Sequence, residues 1–211
     1  MNNKKIIISL VVIVALGGLM YLFRGGSSTE ISPLTMLTDT DWVRGATNAK
    51  VTLIEYGDFQ CPACATYEGV VQQIQTDFKN DLTFIYRHFP LAQIHQNALM
   101  ASKASEAAGL QQKFWEMHDM IFENQSEWSS SANAKEIFIS YAKKIGVDIS
   151  KFKNDIDNST IAKKIEDDYR GGIALKVAGT PTFFLNGKKM DNPGSYDAFR
   201  VQVEVVLKEI Q

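Results

Sequence analysis

The chain has 211 residues, 45% of them hydrophobic and 22% charged, which suits a globular protein and excludes a disordered or fibrous one. Its formal net charge is −2. Lys4, Lys5 and Arg24 are the only charges before residue 25, so the remainder is more acidic still. With no basic stripe or patch, nucleic acid is excluded as an expected partner.

Ile6 to Phe23 form an uncharged 18-residue run, IIISLVVIVALGGLMYLF, just long enough to cross a hydrocarbon core as a helix. Cleaved signal peptides have shorter apolar stretches, and the run continues past the weak cleavage site at Ala15-Leu16-Gly17. The prediction is a signal anchor over 1–24 with transmembrane helix 6–23; the alternative is secretion after cleavage. Lys4, Lys5 and the terminal amine keep the short tail cytoplasmic and place later residues outside. Residues 25–40 read as a tether.

Val51 to Tyr56 is a β-favouring run that breaks at Gly57-Asp58, as a buried strand does. After Cys61 the period becomes helical through Tyr67, Val70 or Val71, Ile74 and Phe78, with Pro62 in the first turn, where its missing N–H is harmless. Leu82 to Phe89 is a second strand, ended by Pro90. Helical spacing then dominates from 92 to 176. Residues 96–110 are Ala-rich; Phe114, Met117 and Ile121 share a face with Trp115, His118 and Phe122 beside it. Ile137, Phe138, Tyr141 and Ile145 form a stripe before the capping Gly146, and Ile161, Ile165 and Tyr169 form another. Gly171-Gly172 either ends that helix or lets it pack closely. Thr182 to Leu185 is a strand, Asn186-Gly187 a hairpin turn requiring positive φ, and Lys188 to Met190 the returning strand. Ser195 caps a final helix whose inward face is Phe199, Val203, Val206 and Ile210.

Cys61 and Cys64 are the only cysteines. As a staple they would close a very short loop, for which the entropic gain is small. A zinc site needs about four ligands, and His88, His95 and His118 are not spaced to supply the others. The reactive reading fits the strand-to-helix junction best. Backbone N–H groups and the positive helix end favour a thiolate at Cys61, the exposed attacker, with Cys64 one turn further in as the buried resolver. Attack by Cys61 on a disulfide makes a mixed disulfide, which Cys64 resolves; the reverse sequence oxidises a client.

The stretches EYGDFQCPACATYE, YRHFPL, HQNA, FWEMHDMIFENQ and VAGTPTFFLNGK resemble the DsbA-like branch of the thioredoxin superfamily, specifically its membrane-anchored or exported bacterial thiol-disulfide oxidoreductases. The resemblance runs from Asp41 to the C-terminus. It implies an α/β thioredoxin fold with a first part at 41–91, a helical insertion at 92–176 and a second part at 177–211. It implies catalytic Cys61 and Cys64 with a redox-active disulfide as the only redox group, no other cofactor and no metal. Pro62 and Ala63 lie between the cysteines, and Pro181 is expected as a cis-proline facing them. The backbone of Thr180 is expected to pair with an extended client. Glu55 is expected as a buried proton carrier for Cys64, the plain alternative being a solvated strand-edge glutamate. His88 is expected to pack or lie at the surface, and His118 to belong to the core. Ala63 stands where strongly oxidising relatives carry histidine, which suggests a milder oxidant, and Thr180 resembles the choice of some isomerases. The partners implied are reduced or misoxidised exported proteins and a quinone-linked membrane protein that reoxidises the pair. A reductase or isomerase of the same fold, a non-catalytic chaperone-like module and a metal-delivery protein are the alternatives.

Overall fold

The computed structural model describes residues 32, 35–46 and 48–210, so the anchor expected at 1–24 lies outside the described residues. Among the described residues, no helix is long and apolar enough to cross a membrane.

Among the described residues, five strands form one sheet in the order β1-β3-β2-β4-β5. They are β1 (Trp42–Gly45), β2 (Val51–Gly57), β3 (Leu82–His88), β4 (Thr182–Leu185) and β5 (Lys188–Lys189). β2 and β3 run parallel, and the other pairings are antiparallel. All seven residues of β3 are buried, as a strand covered on both faces requires.

β1 was not expected, because WVRG is too short to show alternation. Long-range contacts hold it. Trp42 pairs in register with Tyr86 and donates its indole N–H to Glu106 Oε1 at 2.9 Å. Gly45 lies at φ +105°, where a Cβ would meet the Leu82 carbonyl at 2.5 Å, so glycine is required there. The hairpin turn has positive φ at Asn186 and Gly187, as its sequence demands. The returning strand is shorter than expected and ends at Lys189. Met190 is buried and its N–H still bonds the Phe183 carbonyl.

After β2 comes α1 (Pro62–Asp77). Six helices separate β3 from β4: α2 (Ala98–Gly109), α3 (Phe114–Glu123), α4 (Gln125–Trp128), α5 (Ala134–Lys144), α6 (Ile149–Asp155) and α7 (Ser159–Ala174). α8 (Tyr196–Glu209) closes the described chain. α4 and α6 were not resolved by periodicity, being only about one and two turns long. Asp148 starts α6 by accepting the Lys151 N–H at 2.7 Å, and Ser195 caps α8 through the Ala198 N–H.

The main core lies on one face of the sheet and continues into the helical block. A smaller cluster of Ile54, Tyr56, Ile85, Phe89, Val177 and Phe184 occupies the other face, with Tyr169 of α7 stacked on Phe89 at 4.6 Å. Gly172 settles the question left by the double glycine. It sits within α7, and a Cβ there would come within 2.6 Å of the Phe89 ring. The glycine therefore permits close packing and does not end the helix. Arg87 of β3 is fixed by a buried pair with Asp41, donating from Nε at 2.9 Å and from Nη2 at 2.7 Å.

Candidate active site

β2 delivers the chain to Asp58, whose carbonyl accepts the Cys61 N–H at 3.0 Å and turns the backbone into α1. Cys61 is the N-cap of that helix, extended at φ −69° and ψ 122°, with Pro62 opening the first turn and no side chain capping it. The first-turn N–H groups are thus available to the Cys61 sulfur. Both cysteines are free thiols.

Cys61 is 8% exposed and Cys64 1%. The expectation of an exposed attacker is therefore corrected. The segment before β4 folds over Cys61, bringing the Thr180 carbonyl to 3.3 Å from its Sγ. From the other side, Gln125 of α4 donates to the carbonyls of Phe59 and Cys61 at 2.7 and 3.0 Å. The helical block thereby helps to shape the cysteine loop.

The two thiols differ sharply. Cys61 is brought down to about 5, chiefly because the Cys64 thiol donates to it. Burial opposes this, and the Thr180 side chain and the N–H groups of Cys64 and Ala63 add to the lowering. Cys64 is pushed well above the usual thiol range by burial first, then by its bond to Cys61 and by the charges of Glu55 and Cys61. One thiol is poised as a thiolate and its neighbour is kept protonated.

The Cys61 thiol donates to the Thr180 carbonyl, a bond that the thiolate gives up. The Thr180 hydroxyl is buried with no hydrogen-bond partner, which leaves it to donate to that thiolate. The Thr180–Pro181 peptide is cis, and Asn192 Nδ2 anchors the Pro181 carbonyl at 2.7 Å.

Glu55, in β2, is 1% exposed, so it is not a solvated edge residue. Burial raises its carboxyl well above the usual range, and the nearby Glu68 and Cys61 charges raise it further. It lies in register between Tyr86 of β3 and Phe183 of β4. His88 is fully buried, with Nε2 2.9 Å from Glu106 Oε1, and its own N–H donates to Asp168. His118 is also fully buried, among the rings of Phe59, Tyr86, Trp115 and Phe122.

The structure adds residues to which the sequence assigned no role. Asp58 is fully buried; its carboxylate accepts from the N–H groups of Gln60 and Leu91 and lies 2.7 Å from His95 Nδ1. Its own N–H approaches the Cys64 sulfur at 3.5 Å. Gln60 accepts the Asn97 N–H and donates to the Ser129 carbonyl. Asp58, Gln60, His95 and Asn97 all fall inside the distinctive stretches DFQC and HQNA, so the signal was present without its meaning. Glu68, buried in α1 seven positions after Cys61, ends the stretch EYGDFQCPACATYE and was likewise given no role.

A family profile described as "Thioredoxin" matches residues 37–205. The solved structure of BdbD from Bacillus subtilis, oxidised, is 27% identical with a TM-score of 0.71, covering 79% of this chain and 92% of that one. Wolbachia pipientis alpha-DsbA1 is 20% identical with a TM-score of 0.75, covering 84% and 96%, and supports the fold alone. Over 159 residues the chain is 40% identical to the Na(+)/H(+) antiporter NhaA 1 of Salinispora arenicola, covering 75% of this chain but 23% of the antiporter. The chain thus spans about a quarter of the length of the curated relatives it matches.

Proposed function

Because this chain belongs to the thioredoxin family and is a DsbA-like thiol-disulfide oxidoreductase with a CxxC pair at Cys61–Cys64, we propose that it donates disulfides to exported proteins outside the cytoplasmic membrane. The oxidised pair is attacked at the Cys61 sulfur by a client thiolate, and Cys64 leaves. A second client thiol then displaces Cys61, completing the client disulfide and leaving the pair reduced. Neither step needs a further cofactor, and a quinone-linked membrane partner restores the disulfide.

The observation that carries the direction is the Cys61 thiol held at about 5. A stabilised thiolate lowers the energy of the reduced enzyme, so its disulfide is the more readily given away. The hydroxyl of Thr180 and the thiol of Cys64 supply donors that compensate for the imidazole absent at Ala63. Location outside the membrane rests on the apolar run at 6–23 and on the persistence of disulfides in oxidising compartments. The antiport activity in the relatives' names is not carried over, since the match covers about a quarter of those proteins.

The deciding experiment is the reduction potential of the full chain, equilibrated with glutathione. A value more oxidising than about −200 mV supports donation, while one near the −270 mV of thioredoxin assigns the reductase reading. Cys64→Ala should trap client proteins on Cys61; a variant that traps none and keeps its activity in cells without Cys61 points to the chaperone-like module.

A further inference from the structure

Cys64 is 1% exposed, so the charge it takes up when a client opens the Cys61–Cys64 disulfide is out of reach of water. Burial, its bond to Cys61 and the charges of Glu55 and Cys61 all work against a thiolate there. A leaving thiolate in such a place needs a hydrogen-bond donor from the protein.

A donor is in place. The Asp58 N–H points at the Cys64 sulfur at 3.5 Å and favours its ionised form. A main-chain N–H keeps its hydrogen, so what it can do depends on how firmly its peptide is held. Asp58 is held at every other polar atom. Its carbonyl accepts the Cys61 N–H at 3.0 Å. Its carboxylate, fully buried, accepts the Gln60 N–H at 2.7 Å through Oδ1 and the Leu91 N–H at 2.9 Å through Oδ2. The same Oδ2 lies 2.7 Å from His95 Nδ1, and because a carboxylate only accepts, Nδ1 carries the hydrogen. The His95 N–H donates in turn to the Leu91 carbonyl at 2.9 Å, and its side chain is 17% exposed. The Asp58 carboxylate thus ties the cysteine loop to the segment that follows β3.

We propose that Asp58 and His95 are positioning residues for the resolving thiol, holding the Asp58 N–H on the Cys64 sulfur, where it stabilises the leaving thiolate. This role rests on the reading above, in which clients bond to Cys61 and expel Cys64. When a client thiolate attacks the Cys61 sulfur, the client–Cys61 bond forms, the Cys61–Cys64 bond breaks, and Cys64 departs with the electron pair. The Asp58 N–H bonds that sulfur without giving up its hydrogen. In the reverse step the Cys64 thiolate attacks Cys61, and the client sulfur leaves with the pair. A buried carboxylate short of a donor is costly, so loss of His95 would draw the Asp58 side chain toward water and its peptide off the sulfur.

The test mixes the oxidised full chain rapidly with a peptide carrying a single thiol and follows formation of the mixed disulfide, the step in which Cys64 leaves. His95→Ala should slow this step about fivefold or more, a hydrogen bond to a charged group being worth at least that much. His95→Asn, whose side-chain amide can donate from the place of Nδ1, should bring it back to within about twofold of the wild type. The control is Cys64→Ala carrying glutathione on Cys61, from which the same peptide releases glutathione while no Cys64 takes part. There, added His95→Ala should change the release by less than about twofold. An unchanged first step in His95→Ala overturns the proposal. Equal slowing of both reactions overturns it too, since His95 would then merely support the loop. Asp58→Ala should be slower still; if it fails to fold, the two His95 variants decide. If the peptide is captured on Cys64 in Cys61→Ala and never on Cys61 in Cys64→Ala, the reading of which sulfur is attacked fails, and the proposal with it.

Discussion

The Cys61 sulfur and the Thr180 carbonyl oxygen lie 3.3 Å apart although 119 positions separate the residues. The Thr180 hydroxyl has no hydrogen-bond partner and is left to serve the thiolate that forms when this contact breaks. Alkylation of the reduced protein by iodoacetamide should therefore titrate with a midpoint at about 5 and stay flat to pH 8. Thr180→Val should move the midpoint upward, and Cys64→Ala should move it further, since the Cys64 thiol contributes most. A midpoint near 8.5, the value of a free thiol, would refute the assignment.

Glu55 supports a stability prediction of definite sign. Its folded pKa is raised, so its contribution to stability is present below the unfolded value and is lost as pH rises through the folded one. Stability is lost by about 1.4 kcal/mol for each unit the pH lies above the unfolded carboxyl value, up to the full size of the shift, which is reached at the raised pKa. Glu55→Gln should raise the melting temperature of the reduced protein at pH 8 by at least about 2 °C, and the gain should vanish near pH 4. Equal melting temperatures at pH 8 would contradict it.

Gly172→Ala should loosen α7 from the sheet. The added methyl would meet Phe89 at 2.6 Å and Tyr56 at 3.0 Å. Overpacking of that kind costs about 1–3 kcal/mol, to be read from urea unfolding. Gly146→Ala is not an equivalent control, because its φ of +80° adds strain of its own. Gly69→Ala, with nothing within 4 Å of the new carbon, should leave stability unchanged or slightly raised.

Arg87→Met should be among the costly substitutions. Asp41, its partner, has a side chain only 1% exposed and would lose its guanidinium, keeping only the Thr38 N–H at 2.8 Å. Breaking a buried pair in this way typically costs about 3–5 kcal/mol. Burial raises the Asp41 carboxyl, but the bonds and charge of Arg87 bring it below the usual value overall. A lowered folded pKa stabilises above the unfolded value and is lost as pH falls through the folded one. The gap between wild type and variant should accordingly narrow below about pH 4, as thermal melts across pH would reveal.

Periodicity in the sequence carried the elements that bury a face of their own. The strands around Leu53, Ile85 and Phe184 and the helices through Ile74, Phe138 and Ile165 were legible because each packs against a layer. β1 was not, since four residues pinned by Glu106 and Leu82 owe their form to distant partners. The cysteines announced themselves by number and spacing, and their position at a helix start gave the chemistry. Asp58, Glu68 and His95 did not, because a buried acid or imidazole is defined by what surrounds it in space. The exposure expected for Cys61 failed for the same reason: nothing near residue 61 tells of the cover that arrives with residue 180.

The position of the helical block has a consequence for biosynthesis. β2 pairs with β4 at Glu55 and Phe183, across all six helices of the block. Ribosomes make the cysteine helix first and its opposite wall more than a hundred residues later. β2 and β3 can pair early, because only a short connection closes their loop. β4 cannot join them until the helices have been synthesised. For that interval the nascent chain carries two thiols without Thr180, which covers Cys61 and helps to lower it. The emerging chain therefore exposes its reactive thiols before it can act on others.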